Sequence, residues 1–223
     1  MEKHVVVIYP HPDDESFGAA GSIVQFRKQG IPVTYLCGTL GEMGRNMGNP
    51  PKANRESLAE IRKEELLAAC NVLDIAVEML GYWDKMIEFE DLTEVALHIK
   101  GYLDNIEPSL VITHYPGHAV HPDHNALGKA AIEAVRMMDE GERPVVWAQA
   151  ITRDYRETLG EPDVINDVSD EIDTKMKAIF SHTTQAKGVL SQFTQGGLSK
   201  ETIQTEIKKR FSTEEFYIWD FHM

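Results

Sequence analysis

Two short stretches of this chain carry more histidine and carboxylate than a fold requires. In the first, His11 stands between two prolines and is followed by the adjacent carboxylates Asp13 and Asp14. The second runs from His114 to His124 and holds four of the chain's nine histidines. Zinc binds imidazole nitrogen and carboxylate oxygen in proteins, and a catalytic zinc uses three such donors and keeps one position open. These stretches therefore predict a metal site or a set of proton-transfer groups.

Each stretch follows an apolar segment of strand-forming type and leads into a helical pattern. Residues 5–9 precede the first stretch, and residues 110–113 precede the second. In open α/β sheets, ligands bind beyond the carboxyl ends of the strands. Hydrophobic burial does not account for clustered histidine and aspartate at such a place, so we expect the two stretches to share one pocket.

The second stretch has a clear helix start. Pro122 suits the first helical position, which makes His121 the cap and places Asp123 in the first turn, at the positive end of the helix. His124 lies three residues after His121, and residues at this spacing share a helix face. Both histidines can therefore face the same pocket.

Either stretch alone has an ordinary explanation. Adjacent aspartates are most often a turn or a solvated helix start, and an isolated His-x-x-His is most often coincidence. The occurrence of both motifs at the ends of apolar strands favours a site. The run from Gly18 to Gly21 is a poor dinucleotide-binding fingerprint and is more typical of close helix–strand packing.

Strand and helix patterns alternate over the first 140 residues, which predicts an α/β fold with a mainly parallel sheet flanked by helices. We expect a single domain over residues 1–223, since no repeat or linker is visible. Strands are predicted at residues 5–9, 31–39, 77–80, 110–113, 144–152 and 164–168, and helices at residues 18–27, 54–73, 92–106, 122–138, 170–180 and 198–211. Residues 215–221 are predicted to form a last strand or a packed end.

The composition is that of a globular protein with a formal net charge of −14. No basic stripe is present, so we expect no binding to nucleic acid or to an anionic membrane. The N-terminus enters a strand without a signal peptide, and no apolar run approaches about 20 residues, so we expect a cytoplasmic protein. Cys37 and Cys70 lie in apolar contexts and are interpreted as reduced core residues. We also expect a homo-oligomer.

The motifs at residues 10–15 and 121–124 resemble the two signature motifs of the zinc-dependent N-acetylglucosaminyl deacetylases, the LmbE or PIG-L-like family. Supporting matches lie at residues 39–42, at Arg62 with Glu65, and at residues 181–185, so the resemblance runs from residue 5 to about residue 220. It implies a Rossmann-like fold, one zinc ion per chain and hydrolysis of the acetyl amide of an N-acetylglucosamine conjugate. Within the family, the sequence most resembles the deacetylases of N-acetylglucosaminyl-malate in bacillithiol biosynthesis.

The resemblance also implies roles for individual residues. The zinc ligands would be His11, Asp14 and His124. Asp13 would be the general base, while His121 would face the developing oxyanion with Asp123 as its orienting partner. Some relatives place a tyrosine two residues before His121, where this chain has Ala119. Either Tyr115 moves in from the same loop or that assistance is absent.

Four residues are expected to bind substrate: Glu42, Arg45, Arg62 and Asp84. By resemblance, Arg62 would contact sugar hydroxyls, with Asp84 as a further candidate. A malate group brings two carboxylates, and the loop after the second strand offers Arg45, Lys52 and Arg55. Arginine binds a carboxylate bidentately, which favours the two arginines over the lysine.

Three other functions remain open at this stage. A deacetylase of another N-acetylated sugar, such as chitobiose or an inositol glycoside, would share the catalytic residues and differ in its loops. A non-catalytic module that binds zinc or a nucleotide would need neither Asp13 nor His121. A magnesium-dependent phosphatase is disfavoured, because magnesium prefers oxygen donors to clustered histidine.

Overall fold

A seven-stranded sheet forms the centre of the computed structural model, which describes residues 2–186 and 200–222. The strands are β1 (Val5–Tyr9), β2 (Val33–Cys37), β3 (Ala76–Met79), β4 (Leu110–His114), β5 (Val145–Gln149), β6 (Val164–Asp167) and β7 (Thr213–Ile218). Their order across the sheet is β3-β2-β1-β4-β5-β7-β6. The first five strands are mutually parallel, so the predicted mainly parallel α/β sheet is confirmed.

The central strands are apolar along their whole length because both faces of the sheet are covered. Every residue of β1, β2 and β4 is buried. Val5, Val7 and Tyr9 pack into one core, and Val6 and Ile8 pack into a second core on the opposite face. Near-continuous hydrophobic runs of this kind are typical of parallel strands that lie between two helix layers.

Helices flank the sheet on both sides. They are α1 (Asp14–Gly18), α2 (Ala20–Lys28), α3 (Leu58–Leu73), α4 (Leu92–Ile106), α5 (Pro122–Arg136), α6 (Tyr155–Leu159), α7 (Ile172–Ser181) and α8 (Lys200–Phe211). Residues of α2, α3 and α7 contribute to the first core, and residues of α4 and α5 contribute to the second. Over the described ranges, no helix is both long enough and apolar enough to cross a membrane.

Several predicted helix boundaries shift for local reasons. The third helix begins at Leu58 rather than at residue 54, because the side chain of Asn54 accepts hydrogen bonds from the backbone of Glu56 and Ser57 and holds a turn there. The first predicted helix corresponds to α2 and begins at Ala20, because Ala19 has a non-helical φ of −137°, and the short helix α1 precedes it. The predicted start of the last helix, Leu198, lies outside the described residues.

The chain end forms β7, which runs antiparallel to both β5 and β6. Its register pairs Ala148 with Tyr217, so the beginning of β7 lies beyond the carboxyl end of β5. Glu214 near that beginning is buried and accepts hydrogen bonds from the backbone of Gly21 and Ser22 in α2 and from Lys175 in α7. These contacts fix the last strand to the helices on one face of the sheet.

Candidate active site

The two predicted stretches meet at the carboxyl edge of the sheet. β1 and β4 are parallel neighbours, with Ile8 opposite Thr113, so the segments that follow them leave the sheet side by side. His121 caps α5 and Pro122 occupies its first turn, which confirms the predicted helix start. His11 and Asp14 thus come from the β1 side, and His124 comes from the first turns of α5.

Three side chains converge as the predicted ligand set requires. Nδ1 of His11 lies 3.1 Å from Nε2 of His124. The two carboxylate oxygens of Asp14 lie 3.4 Å from these nitrogens, one oxygen from each. A tetrahedral zinc with bonds of about 2.0–2.2 Å holds its donors about 3.3–3.6 Å apart. The two carboxylate–nitrogen separations fall within this range and the nitrogen–nitrogen separation is slightly shorter, so the donors lie close to the spacing that a zinc ion requires.

The outer nitrogens of both rings have acceptors, so a neutral ring carries its hydrogen on the outer nitrogen. Nδ1 of His124 lies 3.1 Å from the carbonyl oxygen of Ala119, and Nε2 of His11 lies 3.2 Å from Asp84 and 3.3 Å from Asp123. When these outer nitrogens carry hydrogen, the inner nitrogens present lone pairs to each other. Two facing lone pairs repel, so this arrangement suits a bound cation.

The charged groups around the donors also favour a bound cation. Burial opposes a charged imidazole, yet the carboxylates of Asp123, Asp14 and Asp84 raise the pKa of His11 well above its usual value. Burial likewise opposes a charged carboxylate, yet His124 and His11 hold the pKa of Asp14 well below its usual range. The pocket therefore favours positive charge beside Asp14.

One other grouping of donors near the same point, which includes His114, fits an ion less well. His114, Asp14 and His124 bring one potential donor each within 4.8 Å of one another. The rings of His114 and His124, however, are stacked 4.1 Å apart at an angle of 4°. Lone pairs that lie in parallel ring planes do not converge on one ion, so His114 is a poor partner ligand for His124.

Asp13 lies beside the donors in a strained backbone conformation, with a φ of 124°. Its carboxylate is 3.4 Å from Arg62, and its backbone N–H donates to Glu15. Burial and the neighbouring Asp14 raise the pKa of Asp13 to about 6, although Arg62 opposes the shift. A non-glycine residue held at such a φ costs free energy, and such outliers cluster at functional sites.

The hydrogen bond of His121 determines which of its two ring nitrogens carries the proton when the ring is neutral. Its Nδ1 accepts the backbone N–H of Asp123, so the neutral ring carries its proton on Nε2. Burial and the nearby His11 and His124 lower the pKa of His121. The Asp123 carboxylate contacts His11 and accepts the backbone N–H groups of Lys85 and Ile87, so its side-chain hydrogen bonds go to neighbours other than His121.

The predicted substrate residues are distributed unevenly around a cleft of about 510 Å³, here called the catalytic cleft. Its walls include His11, Asp13, Asp14, Arg45, Arg62, Asp84, Lys85, His121 and His124. Arg45 is exposed at this cleft, whereas Asp84 is buried and directed at His11. Glu42 is half-buried, is absent from the lining, and has one buried oxygen without a partner in the described chain.

Arg62 lines the cleft, but its terminal nitrogens donate hydrogen bonds to backbone carbonyl oxygens. Its two terminal nitrogens donate to the carbonyl oxygens of Gly41, at 3.0 Å, and Pro12, at 2.5 Å. The same guanidinium lies beside Asp13. These contacts suit Arg62 to holding the loops and Asp13 in place, and its contact with sugar hydroxyls stays a prediction.

Sequence reasoning missed a buried support behind Asp13. Glu15 accepts the Asp13 N–H and lies 2.6 Å from Nε2 of His182. Both side chains are fully buried. His182 had been noted only through the resemblance at residues 181–185, and neither residue has a periodic pattern that would reveal the pairing. Lys85 at the cleft was missed for the same reason.

The structure shows where the ring of Tyr115, the candidate to replace the family tyrosine, lies. Its ring packs edge-on against His118, Tyr217 and Trp219, with ring centroids 5.2–5.7 Å apart. It does not line the catalytic cleft. Ala119 is buried. Tyr115 is therefore held away from the metal donors by an aromatic cluster at the end of the sheet.

The fold and the site together define the class of protein. A mainly parallel sheet presents a three-donor metal-type set beside a further carboxylate, which is the arrangement expected of a metal-assisted hydrolase.

Comparison with known proteins identifies the family. Residues 6–135 match the family described as "PIG-L: GlcNAc-PI de-N-acetylase". The chain is 51% identical over 193 residues to the probable N-acetyl-alpha-D-glucosaminyl L-malate deacetylase 2 of Bacillus subtilis strain 168, with 86% of this chain and 87% of the relative covered. The protein of the same description from Bacillus anthracis is 42% identical over 221 residues, with 99% and 96% covered. The chain therefore belongs to the PIG-L deacetylase family.

Solved structures confirm the fold. The N,N'-diacetylchitobiose deacetylase of Pyrococcus horikoshii has a TM-score of 0.74 at 24% identity, with 98% of this chain and 84% of that chain covered. The 4-carboxy-2-hydroxymuconate hydratase of Pseudomonas putida KT2440 has the same TM-score at 20% identity, with 98% and 96% covered. Because the hydratase shares the architecture, the fold alone does not specify deacetylation.

Proposed function

We propose that this protein removes the acetyl group from N-acetylglucosaminyl-L-malate in the cytoplasm, as a step of bacillithiol biosynthesis, with one zinc ion per chain. The convergence of His11, Asp14 and His124 beside the free carboxylate of Asp13 carries the proposal. The substrate follows from relatives with 42–51% identity whose names specify the malate conjugate. Assembly into a homo-oligomer stays a prediction.

The chemistry requires activation of both the amide and the attacking water. His11, Asp14 and His124 would hold the zinc ion, which would supply a Lewis acid to polarise the carbonyl and to lower the pKa of water. Asp13 accepts a proton from the attacking water and returns it to the leaving nitrogen. His121 donates from Nε2 to the oxygen on which negative charge develops.

The carboxylates near the donors orient and support them. Asp123 and Asp84 accept from Nε2 of His11, which keeps the Nδ1 lone pair directed at the ion. We therefore propose that the Asp123 carboxylate orients His11, while the Asp123 backbone N–H bonds to His121 at the cap of α5. The products are acetate and a free amino sugar.

The catalytic cleft also offers cations to an acidic substrate. Arg45 and Lys85 line it, and neither side chain has an ion-pair partner among the residues that the structure describes. Arg55 instead donates to the carbonyl oxygen of Gly44 and lies outside the lining. This favours Arg45, of the two predicted arginines, for contact with the substrate at this cleft.

A substrate panel tests the proposal. Purified zinc-loaded protein is assayed for free amine and acetate with four compounds: N-acetylglucosaminyl-malate, N-acetylglucosamine, diacetylchitobiose and the N-acetylglucosaminyl inositol conjugate. We expect the highest kcat/KM for the malate conjugate. A higher value for chitobiose or the inositol conjugate would assign the protein to another branch of the family. Absence of acetate release from all four would contradict the deacetylase function.

A further inference from the structure

A second cavity adjoins the metal donors from the other side of Asp14. It has a volume of about 600 Å³ and is called the rear cavity here. Its inner wall includes Asp14 and His114, and its outer wall includes Arg153, Tyr155 and Arg210. It lies beyond the ends of β4 and β5 and beside the start of β7, so it shares the carboxyl edge with the catalytic cleft.

The acidic side chains on the β7 wall are already neutralised. Glu214 forms an ion pair with Lys175 at 2.6 Å, and both side chains are 1% exposed. Glu215 accepts hydrogen bonds from Tyr155 at 2.5 Å and from Arg156 at 2.6 Å. These carboxylates therefore have little capacity left to attract a cation or to balance further positive charge.

Two arginines at the rear cavity lack such partners. Arg153 and Arg210 make no ion pair and no side-chain hydrogen bond within the described part of the chain. In a chain of net charge −14, two unbalanced guanidinium groups facing one cavity form a local positive field. Each guanidinium matches a carboxylate with two parallel hydrogen bonds.

The inner wall adds an unsatisfied polar atom. His114 is 3% exposed, and its Nδ1 is buried without a hydrogen-bond partner in the described residues. The His114 ring stacks on His124 and contacts the ring of Tyr9. Polar groups at both ends of a cavity are typical of a ligand site rather than of a packing defect.

We propose that the rear cavity binds a dicarboxylate, with Arg153 and Arg210 as the residues that recognise its two charges. The dicarboxylate has two possible sources: the malate part of the substrate, which rests on the proposed function, or a free dicarboxylate. In the first case, the sugar lies over the metal donors and the aglycone extends into the rear cavity. In the second case, the cavity is an effector site that adjoins the metal ligand Asp14.

The test uses L-malate and zinc-loaded protein. Binding is measured by isothermal titration calorimetry for the wild type, for Arg153→Gln/Arg210→Gln and for a control, Arg136→Gln, on the exposed side of α5 and outside both cavities. We expect each lost charge-assisted contact to weaken binding about tenfold or more. The control should bind malate as the wild type does.

Steady-state kinetics on the same samples show whether the bound dicarboxylate is the malate part of the substrate or a free molecule. If the aglycone occupies the cavity, the double variant raises KM for N-acetylglucosaminyl-malate, leaves KM for N-acetylglucosamine unchanged, and free malate competes with the conjugate. If a free dicarboxylate occupies it, malate changes kcat for N-acetylglucosamine in the wild type and has no such effect in the double variant.

Two results would overturn the proposal: malate affinity in the double variant equal to that of the wild type, or no malate binding by the wild type. Because both are binding measurements, they hold even if the malate conjugate is not the preferred substrate. Failure of the substrate assignment is therefore distinguishable from failure of the rear cavity as a dicarboxylate site.

Discussion

Asp13 and Asp14 are adjacent residues whose surroundings separate their chemistry. Burial raises the pKa of Asp13 to about 6, whereas His124 and His11 hold the pKa of Asp14 well below its usual range. A carboxylate that stays charged suits a metal ligand, and one that binds a proton near neutral pH suits a base. The two side chains differ because Asp14 alone lies between two imidazoles.

Replacing Asp13 separates these roles. We expect Asp13→Asn to retain zinc while kcat falls on the order of 10²–10⁴, because an amide cannot accept the proton of the attacking water. Zinc content by elemental analysis and kcat at saturating substrate are measured on one sample. Asp14→Asn is the matched control and should lose zinc. A kcat equal to that of the wild type in Asp13→Asn would remove Asp13 as the base.

At the scale of elements, the loop after β2 holds Arg62 beside Asp13, the proposed base. Gly41 has a φ of +64°, and a Cβ added there would lie 1.8 Å from a terminal nitrogen of Arg62. The absence of a side chain lets Arg62 donate to the Gly41 carbonyl and lie beside Asp13. This glycine is required by the close approach as well as by its backbone conformation.

We therefore expect Gly41→Ala to displace Arg62 and lower kcat about tenfold or more, while zinc content is unchanged. Gly101→Ala is the control, since the site of its Cβ has no atom within 4 Å and alanine favours the helix. The two variants are compared by steady-state kinetics and elemental analysis. Equal activity in both variants would mean that the position of Arg62 does not matter for turnover.

Glu15 of α1 and His182, which caps the end of α7, form a titratable pair. Burial disfavours a charged His182, but Glu15 at 2.6 Å outweighs it and raises the pKa of His182 above its usual value of about 6.5. The folded protein therefore holds this proton to a higher pH than the unfolded chain does. The resulting stabilisation is complete below about pH 6.5 and is lost as pH rises through the raised pKa.

Because the proton on His182 stabilises the folded protein at low pH, His182→Gln should lose about 1–3 kcal/mol of unfolding free energy at pH 6 relative to the wild type. The difference should shrink as pH rises to 9. Urea unfolding at several pH values measures it, with His222→Gln, an exposed histidine, as the control. A difference that is constant or grows with pH would show that His182 is neutral in the folded protein.

At the scale of the whole molecule, a bound ion would join two distant parts of the chain. His11 and Asp14 follow the first strand, whereas His124 lies 113 residues after His11. A ligand that binds only the folded state stabilises it by about 2.7 kcal/mol at a concentration of 100 Kd. Zinc should therefore raise the Tm by about 5–10 °C for a chain of this length.

The Tm shift provides a measurement that does not depend on activity. His124→Ala should abolish the shift, and His118→Ala should retain it, because His118 lies in the same loop but outside the donor set. Differential scanning calorimetry with and without added zinc measures both variants. A full shift in His124→Ala would exclude His124 as a ligand.

Local features of the sequence were enough to predict the sheet and the composition of the site. Apolar runs predicted β1 and β4, and the helix start at His121 and Pro122 followed from local capping rules. Parallel neighbouring strands must place their following loops at one edge, so the meeting of the two histidine stretches was also predictable. These properties depend on residues close together in the chain.

Tertiary structure alone decided which distant side chains meet. Glu15 pairs with His182, the Asp123 carboxylate turns to His11, and Arg62 is occupied by backbone carbonyls. The antiparallel course of β7 brings its first residues to the rear cavity. Such contacts join segments up to 167 residues apart, and they depend on how helices pack across a sheet. Local periodicity and capping determine the elements, whereas long-range packing determines the partners of each charged side chain.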